Sequence, residues 1–411
     1  MELYDYKMLY DYNDCEKFLK MNSNKLSDLK VRLIVIENEN SLKTYDYIIK
    51  DVWFMLDTFI MYKTSCECRE GLNQKFFPLT TFTRSNLETL NIILVKISEL
   101  IKNNKISNND PISSKYNDIF KRLGIGRNLR NKLEHEKDPY YDGRLGEIEK
   151  NFNLIKQIEF VENVIELFEL LKGHNLKIKP KNLIISYNSL SVLQRKVVTT
   201  ETAQLSTSIF RYISELSFII SDRAKSSQPT ADIEKIIIDQ GLKLIELNKS
   251  INFLYNRTMF NELQSKMHTT PDEYFCKLSL IKAYQICDKL GYYIAYKRCY
   301  NLTKTYFKDV VDRIIKDNTR PYQKVENKIV QFRNDNEYEE LSSIRNFCEH
   351  KNGIIDYAIE MDKIVTLIII LHNKLTKIIY DILESYFEDN GIALGERSFK
   401  ETIAKSKYID I

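Results

Sequence analysis

Glycine and proline are scarce in this chain, with 11 glycines and 7 prolines among 411 residues. Because tight turns rely on these two residue types, their scarcity favours few turns and long helices. Apolar residues repeat at helical spacing over Tyr45–Ile60, which predicts a helix with one buried face. A second such run, Leu90–Ile101, follows Ser85 and Glu88, whose spacing is that of a capping box at a helix start. The sequence therefore predicts an all-α fold.

The rest of the chain continues this pattern with one interruption. Residues 176–199 contain a proline and β-branched residues but no helical stripe, so they are predicted to form an extended connector between two halves. Thr270-Pro271 is a favourable helix start, because proline is tolerated in a first turn. Further long helices are predicted over Leu145–Leu171, Thr200–Ile220, Asp232–Tyr255, Thr270–Tyr296 and Asp356–Phe387.

The order of the predicted elements indicates how they pack. No strand-rich block alternates with the helices, so a parallel sheet is not expected. Two antiparallel helical bundles are the simplest architecture for such a chain. We therefore expect an N-terminal domain over residues 1–190 and a C-terminal domain over residues 200–411.

Composition restricts the class of protein. Hydrophobic residues make up 43% and charged residues 29%, which is typical of globular rather than disordered chains. The net charge of +4 is too small to indicate a nucleic-acid binder by itself. Seven scattered cysteines form no disulfide framework, and the N-terminus carries no secretory signal. The apolar run Ile364–Leu371 is shorter than the roughly 20 residues of a membrane span. We therefore expect a cytoplasmic protein with no membrane partner.

A short sequence occurs once in each half of the chain. Leu129–His135 reads LRNKLEH and Ile344–His350 reads IRNFCEH, so both copies have the pattern apolar-Arg-Asn-x-x-Glu-His. The chain has only five histidines, and two of them end this pattern. A helix breaker follows each copy, Asp138-Pro139 in the first and Asn352-Gly353 in the second. The repeat indicates two related halves, with each histidine at the end of a helix.

The repeated residues suit the cleavage of RNA. Arginine offers a planar set of donors for a phosphate, and histidine exchanges protons near neutral pH. The two lie about 140° apart on a straight helix, but a histidine at a helix end can turn toward the arginine. The 2′-hydroxyl of RNA can then attack the adjacent phosphorus without a metal ion, since the nucleophile belongs to the substrate. Two Arg–His pairs at a pseudo-twofold interface between the halves would supply two cations, an acid and a base.

The Arg-Asn-x-x-x-His core resembles the R-x(4–6)-H signature of HEPN domains, in which a polar residue, often Asn, follows the arginine. Catalytic HEPN proteins are metal-independent endoribonucleases of toxin–antitoxin, abortive-infection and CRISPR systems, and they act as HEPN pairs. The resemblance implies two HEPN-like domains, RNA as the substrate, no cofactor or metal, and an antitoxin or regulatory protein as a further partner. It marks as the site a catalytic set, Arg130, His135, Arg345 and His350, with Asn131 and Asn346 in support. Glu134 and Glu349 are additional supporting candidates, which could orient the histidine or the arginine.

Basic residues near the two motifs are candidates for RNA binding through phosphate contacts. They are Lys121, Arg122, Arg127 and Lys132 around the first motif, and Lys328 and Arg333 before the second. The other three histidines have no partner at a comparable spacing and are not predicted to be catalytic. A zinc site is not predicted either, because Cys66 and Cys68 lack a second pair of ligands.

Three functions stay open at this point. The leading hypothesis is a metal-independent endoribonuclease that acts as a toxin or phage-defence effector. A non-catalytic HEPN module that binds RNA or a nucleotide is the second, since a fold alone does not grant activity. The third is a helical scaffold for protein partners, in which the repeated residues form structural Arg–Glu–His networks. The motifs pair either within a monomer or across a homodimer, and the duplication favours the monomer.

Overall fold

The structure is a computed structural model. It describes residues 12–39, 44–67, 79–122, 152–172, 174, 176, 181–225, 232–255, 261, 263–300, 306–317, 321–350 and 353–393. The helices are α1 (Tyr12–Met21), α2 (Ser23–Glu39), α3 (Asp46–Glu67), α4 (Leu79–Asn103), α5 (Leu154–Leu171), α6 (Val192–Lys225), α7 (Asp232–Tyr255), α8 (Pro271–Lys297), α9 (Phe307–Lys316), α10 (Lys324–Arg333), α11 (Asn336–His350) and α12 (Tyr357–Asp389). Residues 111–122 are helical as well. Among the described residues, the strands are β1 (Lys181–Leu183) and β2 (Gly353–Ile355). The prediction of a predominantly helical protein is confirmed.

Helices with clear local signals begin where the sequence predicts. Helix α7 spans the predicted Asp232–Tyr255. Helix α8 begins at Pro271 with Thr270 as its N-cap, whose hydroxyl accepts a hydrogen bond from the backbone N–H of Glu273. Helices α3 and α12 cover the predicted apolar runs. Caps and periodicity therefore determine these elements locally.

The start predicted for α4 is wrong. This helix begins at Leu79, about 1.7 turns before Ser85. The Ser85 side chain is fully buried, and its hydroxyl donates to the backbone carbonyl of Thr81 at 2.8 Å. A serine inside a helix can satisfy its hydroxyl on the carbonyl one turn back, so its presence does not require a cap position.

The start predicted for α5 is also wrong. The helix that ends at Leu171 begins at Leu154 rather than Leu145. Asn153 is extended, with φ −70° and ψ 176°, and its side chain accepts a hydrogen bond from the backbone N–H of Lys156. An asparagine cap of this kind marks the start of a helix.

The connector between the two predicted domains is extended only in its first part. Strand β1 pairs in parallel with β2, with Lys181 opposite Gly353 and Leu183 opposite Ile355. Helix α6 already begins at Val192, whereas the predicted connector runs to residue 199. The expectation of no parallel pairing is therefore wrong over these three residues. The pairing fastens the connector to the segment directly after α11.

Helix α8 lies at the centre of the packing. Most of its side chains are buried, and it packs against α7, α9, α11 and α12. Helix α12 also packs on α6 and α7, and α3 packs on α1 and α4. Side chains from both predicted domains belong to one hydrophobic cluster. The division into residues 1–190 and 200–411 stays a prediction. None of the described helices is both long and apolar enough to cross a membrane.

Helix α3 joins the N-terminal part of the chain to the start of α8. The buried Asp57 carboxylate accepts hydrogen bonds from the backbone N–H groups of His268 and Thr269, at 3.0 and 2.9 Å. At the next residue of α3, the hydroxyl of Thr58 lies 3.1 Å from that of Tyr274. These contacts bring α3 beside α8 and leave a cavity further along the two helices.

Candidate functional site

The second motif lies at the end of α11. This helix ends at His350, as the breaker at Asn352-Gly353 predicts. Arg345 is half-buried and Asn346 is exposed. The side chains of Glu349 and His350 lie outside the described part of the chain. The position of the motif at a helix end is therefore confirmed, and the orientation of His350 stays a prediction.

Contacts with the connector and with α12 hold α11 at both ends. Near its start, Glu337 accepts hydrogen bonds from the Tyr187 hydroxyl at 2.8 Å and from Lys374 at 2.6 Å. Burial by itself would raise the pKa of Glu337, but these donors hold it below its usual value. Beyond its end, β2 pairs with β1. The position of Arg345 is therefore set by tertiary contacts and not by its own helix alone.

Arg345 stacks on Tyr284 of α8. Its Cζ atom lies 3.5 Å from the centroid of the tyrosine ring, which is a close cation–π contact. The same arginine is close enough to the buried Cys287 to oppose the effect of burial, which raises the pKa of that thiol. Stacking uses the face of the guanidinium, whereas its N–H donors lie in its plane. A stacked arginine can therefore also bind an anion.

A cavity of about 120 Å³ lies beside Arg345. Its walls come from α3, α4, α8 and α11, so residues of both predicted domains face it. Among the predicted site residues that the structure describes, only Arg345 lines it. Aromatic rings form much of the wall, namely those of Tyr47, Phe54, Tyr274 and Tyr284. A concave surface with aromatic rings and a few polar groups is the usual form of a ligand site.

Asp51 is the centre of the charge network in this cavity. Its carboxylate accepts hydrogen bonds from Lys96 of α4 at 2.7 Å and from Lys277 of α8 at 2.6 Å. Burial by itself would raise the pKa of Asp51, but the two ammonium groups outweigh it and hold the pKa below its usual value. The carboxylate is therefore charged at neutral pH, and it links α3, α4 and α8.

Two polar groups at the cavity have no hydrogen-bond partner among the described residues. The Gln285 side chain is only 4% exposed, and neither its Nε2 nor its Oε1 is bonded. The Tyr47 side chain is 2% exposed, and its hydroxyl is not bonded either. Buried polar groups are nearly always paired in native proteins, so each of these exceptions requires an explanation.

A second group of buried charges lies among α4, α7 and α8. Asp239 is 3.8 Å from Arg84, 3.5 Å from Lys243 and 3.5 Å from Lys289. All four side chains are at most 1% exposed. Three cations around one carboxylate make this interior strongly polar, and the group fastens α4 to the two central helices.

The remaining basic candidates lie away from the cavity. Lys121 and Arg122 are exposed on the helical segment 111–122, and Arg122 forms an ion pair within that helix. Lys328 and Arg333 of α10 each pair with an aspartate of a neighbouring helix. An RNA phosphate would have to compete with these aspartates. That Lys328 and Arg333 bind RNA stays a prediction.

The first motif falls outside the described residues. Arg130, Asn131, Glu134 and His135 lie there, as do Arg127 and Lys132. That the first motif lies close to the second therefore stays a prediction, as does the pairing of the two motifs within one chain. Among the residues that the structure does describe, no group of three or more His, Cys, Asp or Glu side chains is placed to hold a metal ion.

The sequence pattern did not identify the other cavity residues. Asp51 lies within the apolar stripe of α3, between Ile48 and Val52, and Lys96 lies between apolar residues of α4. Charged residues on an otherwise apolar face were the available signal, because such residues are buried only when they are paired. The signal for Gln285 in the sequence was weaker, since α8 is buried on nearly all sides and has no clear polar face.

No protein-family model matches the chain, and neither a curated protein nor a solved structure matches it.

Proposed function

We propose that this protein is a metal-independent endoribonuclease of the HEPN type. The observation that carries the proposal is the duplicated Arg-Asn-x-x-Glu-His motif, at Arg130–His135 and Arg345–His350. The resemblance of this motif to the HEPN signature further favours two HEPN-like bundles, over residues 1–190 and 200–411, related by a pseudo-twofold axis. Under this proposal the two motifs meet within one chain and form a composite site.

The proposed reaction uses the 2′-hydroxyl of RNA as its nucleophile. One histidine, His135 or His350, accepts the proton of the 2′-hydroxyl, and the 2′-oxygen forms a bond with the adjacent phosphorus. The bond between phosphorus and the 5′-oxygen breaks, and the other histidine protonates that leaving oxygen. Arg130 and Arg345 stabilise the negative charge that develops on the phosphoryl oxygens. The products are a 2′,3′-cyclic phosphate and a 5′-hydroxyl.

The surroundings of Arg345 support a site shared by both halves. Arg345 lines a cavity whose walls include residues of α3 and α4 from the N-terminal half. A composite active site needs functional groups of both halves within reach of one phosphate. The stacking on Tyr284 restricts the arginine to few rotamers, which reduces the entropy that it loses on binding an anion.

Non-catalytic binding of RNA or a nucleotide is the second candidate. The cavity beside Arg345 favours it, because a concave surface with aromatic and polar walls is suited to a ligand whether or not a bond is cleaved. A toxin or phage-defence role, with an antitoxin or regulatory partner, belongs to the first proposal and rests on the HEPN resemblance alone.

The proposal is tested by incubating labelled single-stranded RNA with the purified protein in excess EDTA. We expect cleavage by the wild type and none by His135→Ala/His350→Ala. Arg345→Ala is expected to cleave at least about 100-fold more slowly, as is typical when one donor to a developing negative charge is removed. The matched control is Arg313→Ala, which also removes an arginine from a tyrosine ring, since Arg313 Cζ lies 4.6 Å from the Tyr300 centroid.

The outcomes separate the candidates. Cleavage that is lost in the motif variants and kept in Arg313→Ala supports the ribonuclease. Intact RNA with every protein, together with salt-dependent RNA binding, would favour the binding module. Equal cleavage by all variants would reject the Arg–His site.

A further inference from the structure

Exposed apolar residues gather where the connector and the first turns of α6 and α12 pack together. Each of them exposes more than half of its surface, from 53% for Val197 to 80% for Ile184. The residues, which we call the α6 patch, are Ile184, Val192, Leu193, Val197 and Ile359. Single exposed apolar residues are normal on a protein, whereas a group of them at one place marks a surface that binds a partner.

An ion pair between α6 and α12 brings the helical members of the α6 patch together. Arg195 of α6 donates a hydrogen bond to Asp362 of α12 at 3.1 Å. Val192 lies one turn before Arg195, and Ile359 lies one turn before Asp362, so each shares a helix face with a member of this ion pair. Val192 and Ile359 therefore flank the same contact, and the other α6 members continue the patch along the solvent side of that helix.

A hydrogen bond from α12 brings the connector to the same place. Lys363 donates to the backbone carbonyl of Ile185 at 2.8 Å. Ile184 directly precedes Ile185, and Ile359 lies one turn before Lys363 on α12. Ile184 and Ile359 therefore lie on either side of this hydrogen bond, and the connector adds the most exposed side chain to the α6 patch.

The size of the α6 patch suits a dimer interface. A valine, leucine or isoleucine side chain carries on the order of 100 Å² of apolar surface, so five largely exposed ones offer roughly 400 Å². An interface of standard size buries about 800 Å² on each partner, and a little more than half of that area is apolar. The patch with its polar rim therefore supplies the area that one copy contributes to a stable dimer.

The charges at the rim of the α6 patch are compatible with a twofold axis. Lys196 is exposed, and Asp362 keeps 75% of its side chain exposed although it pairs with Arg195. A twofold axis places the same surface on both partners, so a cation of one copy can meet an anion of the other, and the reverse. A rim that carries both signs is complementary to itself, whereas a rim of one sign would repel a second copy.

We propose that the α6 patch is the interface of a symmetric homodimer, in which the same five apolar side chains of two copies pack against each other. None of these five residues lines the cavity beside Arg345, so each copy keeps its own cavity and the inference does not depend on the proposed function. Ile184 directly follows β1, which pairs with β2 after α11. The dimer therefore also covers the connector at the point where it is fastened to the C-terminal half.

The experiment measures the mass of the full-length protein in solution by sedimentation velocity, at concentrations from about 1 to about 100 µM. We expect the wild type to be dimeric at the upper end of this range. Leu193→Glu and Ile359→Glu should each weaken dimerisation at least about 30-fold, the loss that defines an interface hot spot. The matched control is Val31→Glu, because Val31 is 56% exposed on α2 and does not belong to the patch. This variant should dimerise as the wild type does.

Both test variants should keep the fold, because Leu193 and Ile359 are each 72% exposed and lose little packing. Both also lie in the first turn of a helix, α6 and α12 respectively, where a glutamate is favoured by the helix dipole. Circular dichroism checks the fold of each variant, and either folded variant is sufficient for the test.

The outcomes decide between a second copy and other occupants. A wild type that stays monomeric at about 100 µM would overturn the proposal and leave the α6 patch to a different protein. A dimer that both patch variants retain would overturn it as well, and a dimer lost only in Val31→Glu would place the interface on α2. None of these results requires RNA cleavage, so the dimer interface and the ribonuclease proposal can fail separately.

Discussion

The buried His372 of α12 should make the protein less stable in acid. Its side chain is 3% exposed, and its Nε2 atom has no hydrogen-bond partner among the described residues. Burial lowers the pKa of His372 to about 3, because the charged imidazolium would lose its hydration. An unfolded chain has no such environment, and there the pKa of histidine is about 6.5.

The sign of the effect follows from proton binding. Below pH 6.5 the unfolded state binds a proton at His372 that the folded state does not bind, so acid favours unfolding. The stability contributed by neutral His372 is fully present above the unfolded pKa and is lost as the pH falls toward the folded pKa. Each pH unit corresponds to about 1.4 kcal/mol. At pH 5 the loss is therefore about 2 kcal/mol.

The assay is urea unfolding of the wild type and of His372→Leu at pH 7.5 and pH 5.0. The difference in the free energy of unfolding between the two proteins isolates this side chain, because the remaining titratable groups are common to both. On going from pH 7.5 to pH 5.0, we expect the wild type to lose about 2 kcal/mol of unfolding free energy relative to His372→Leu. A difference that is the same at both pH values would refute the reasoning, since His372 would then titrate alike in both states.

Two further predictions concern packing and charge. Asp51→Asn leaves two ammonium groups at the cavity without their carboxylate, and it should lower the free energy of unfolding by about 3–5 kcal/mol in urea; a loss below about 1 kcal/mol would contradict the network. Gly241→Ala should destabilise the protein by about 1–3 kcal/mol, although alanine is normally the better helix former, because the new Cβ would lie 1.9 Å from Ile213 Cδ1. Adding Ile213→Val, which removes that methyl, should recover part of the loss, and no recovery would count against the steric explanation.

Local sequence signals predicted much of the fold. Thr270 and Pro271 mark the start of α8 because the cap and the fixed proline backbone act within one turn. The prediction from Ser85 was wrong because the contacts that decide its position are not local in sequence. A serine is compatible with a helix start and with a buried helix interior, and only its neighbours in space decide between them. The pairing of β1 with β2 is also non-local, and three-residue strands leave no periodic pattern to detect.

The candidate site was predicted only where its residues form a motif. Arg345 was found because its pattern is repeated, and the end of α11 at His350 agrees with the breaker after it. That Gln285 and Tyr47 carry buried polar atoms without hydrogen-bond partners among the described residues was not predicted. That property depends on how α3, α8 and α11 come together around a cavity. Charge pairing explains in the same way why Lys328 and Arg333 are less suited to RNA than their position beside the motif suggests.

The proposed cleavage uses the substrate's own 2′-hydroxyl as its nucleophile. The most direct measurement compares an RNA oligonucleotide with a fully 2′-O-methylated oligonucleotide of the same sequence, both in excess EDTA. We expect that only the unmodified RNA is cut and that its products end in a 2′,3′-cyclic phosphate. Cutting of the methylated oligonucleotide, products with a 5′-phosphate, or RNA that stays intact would contradict it.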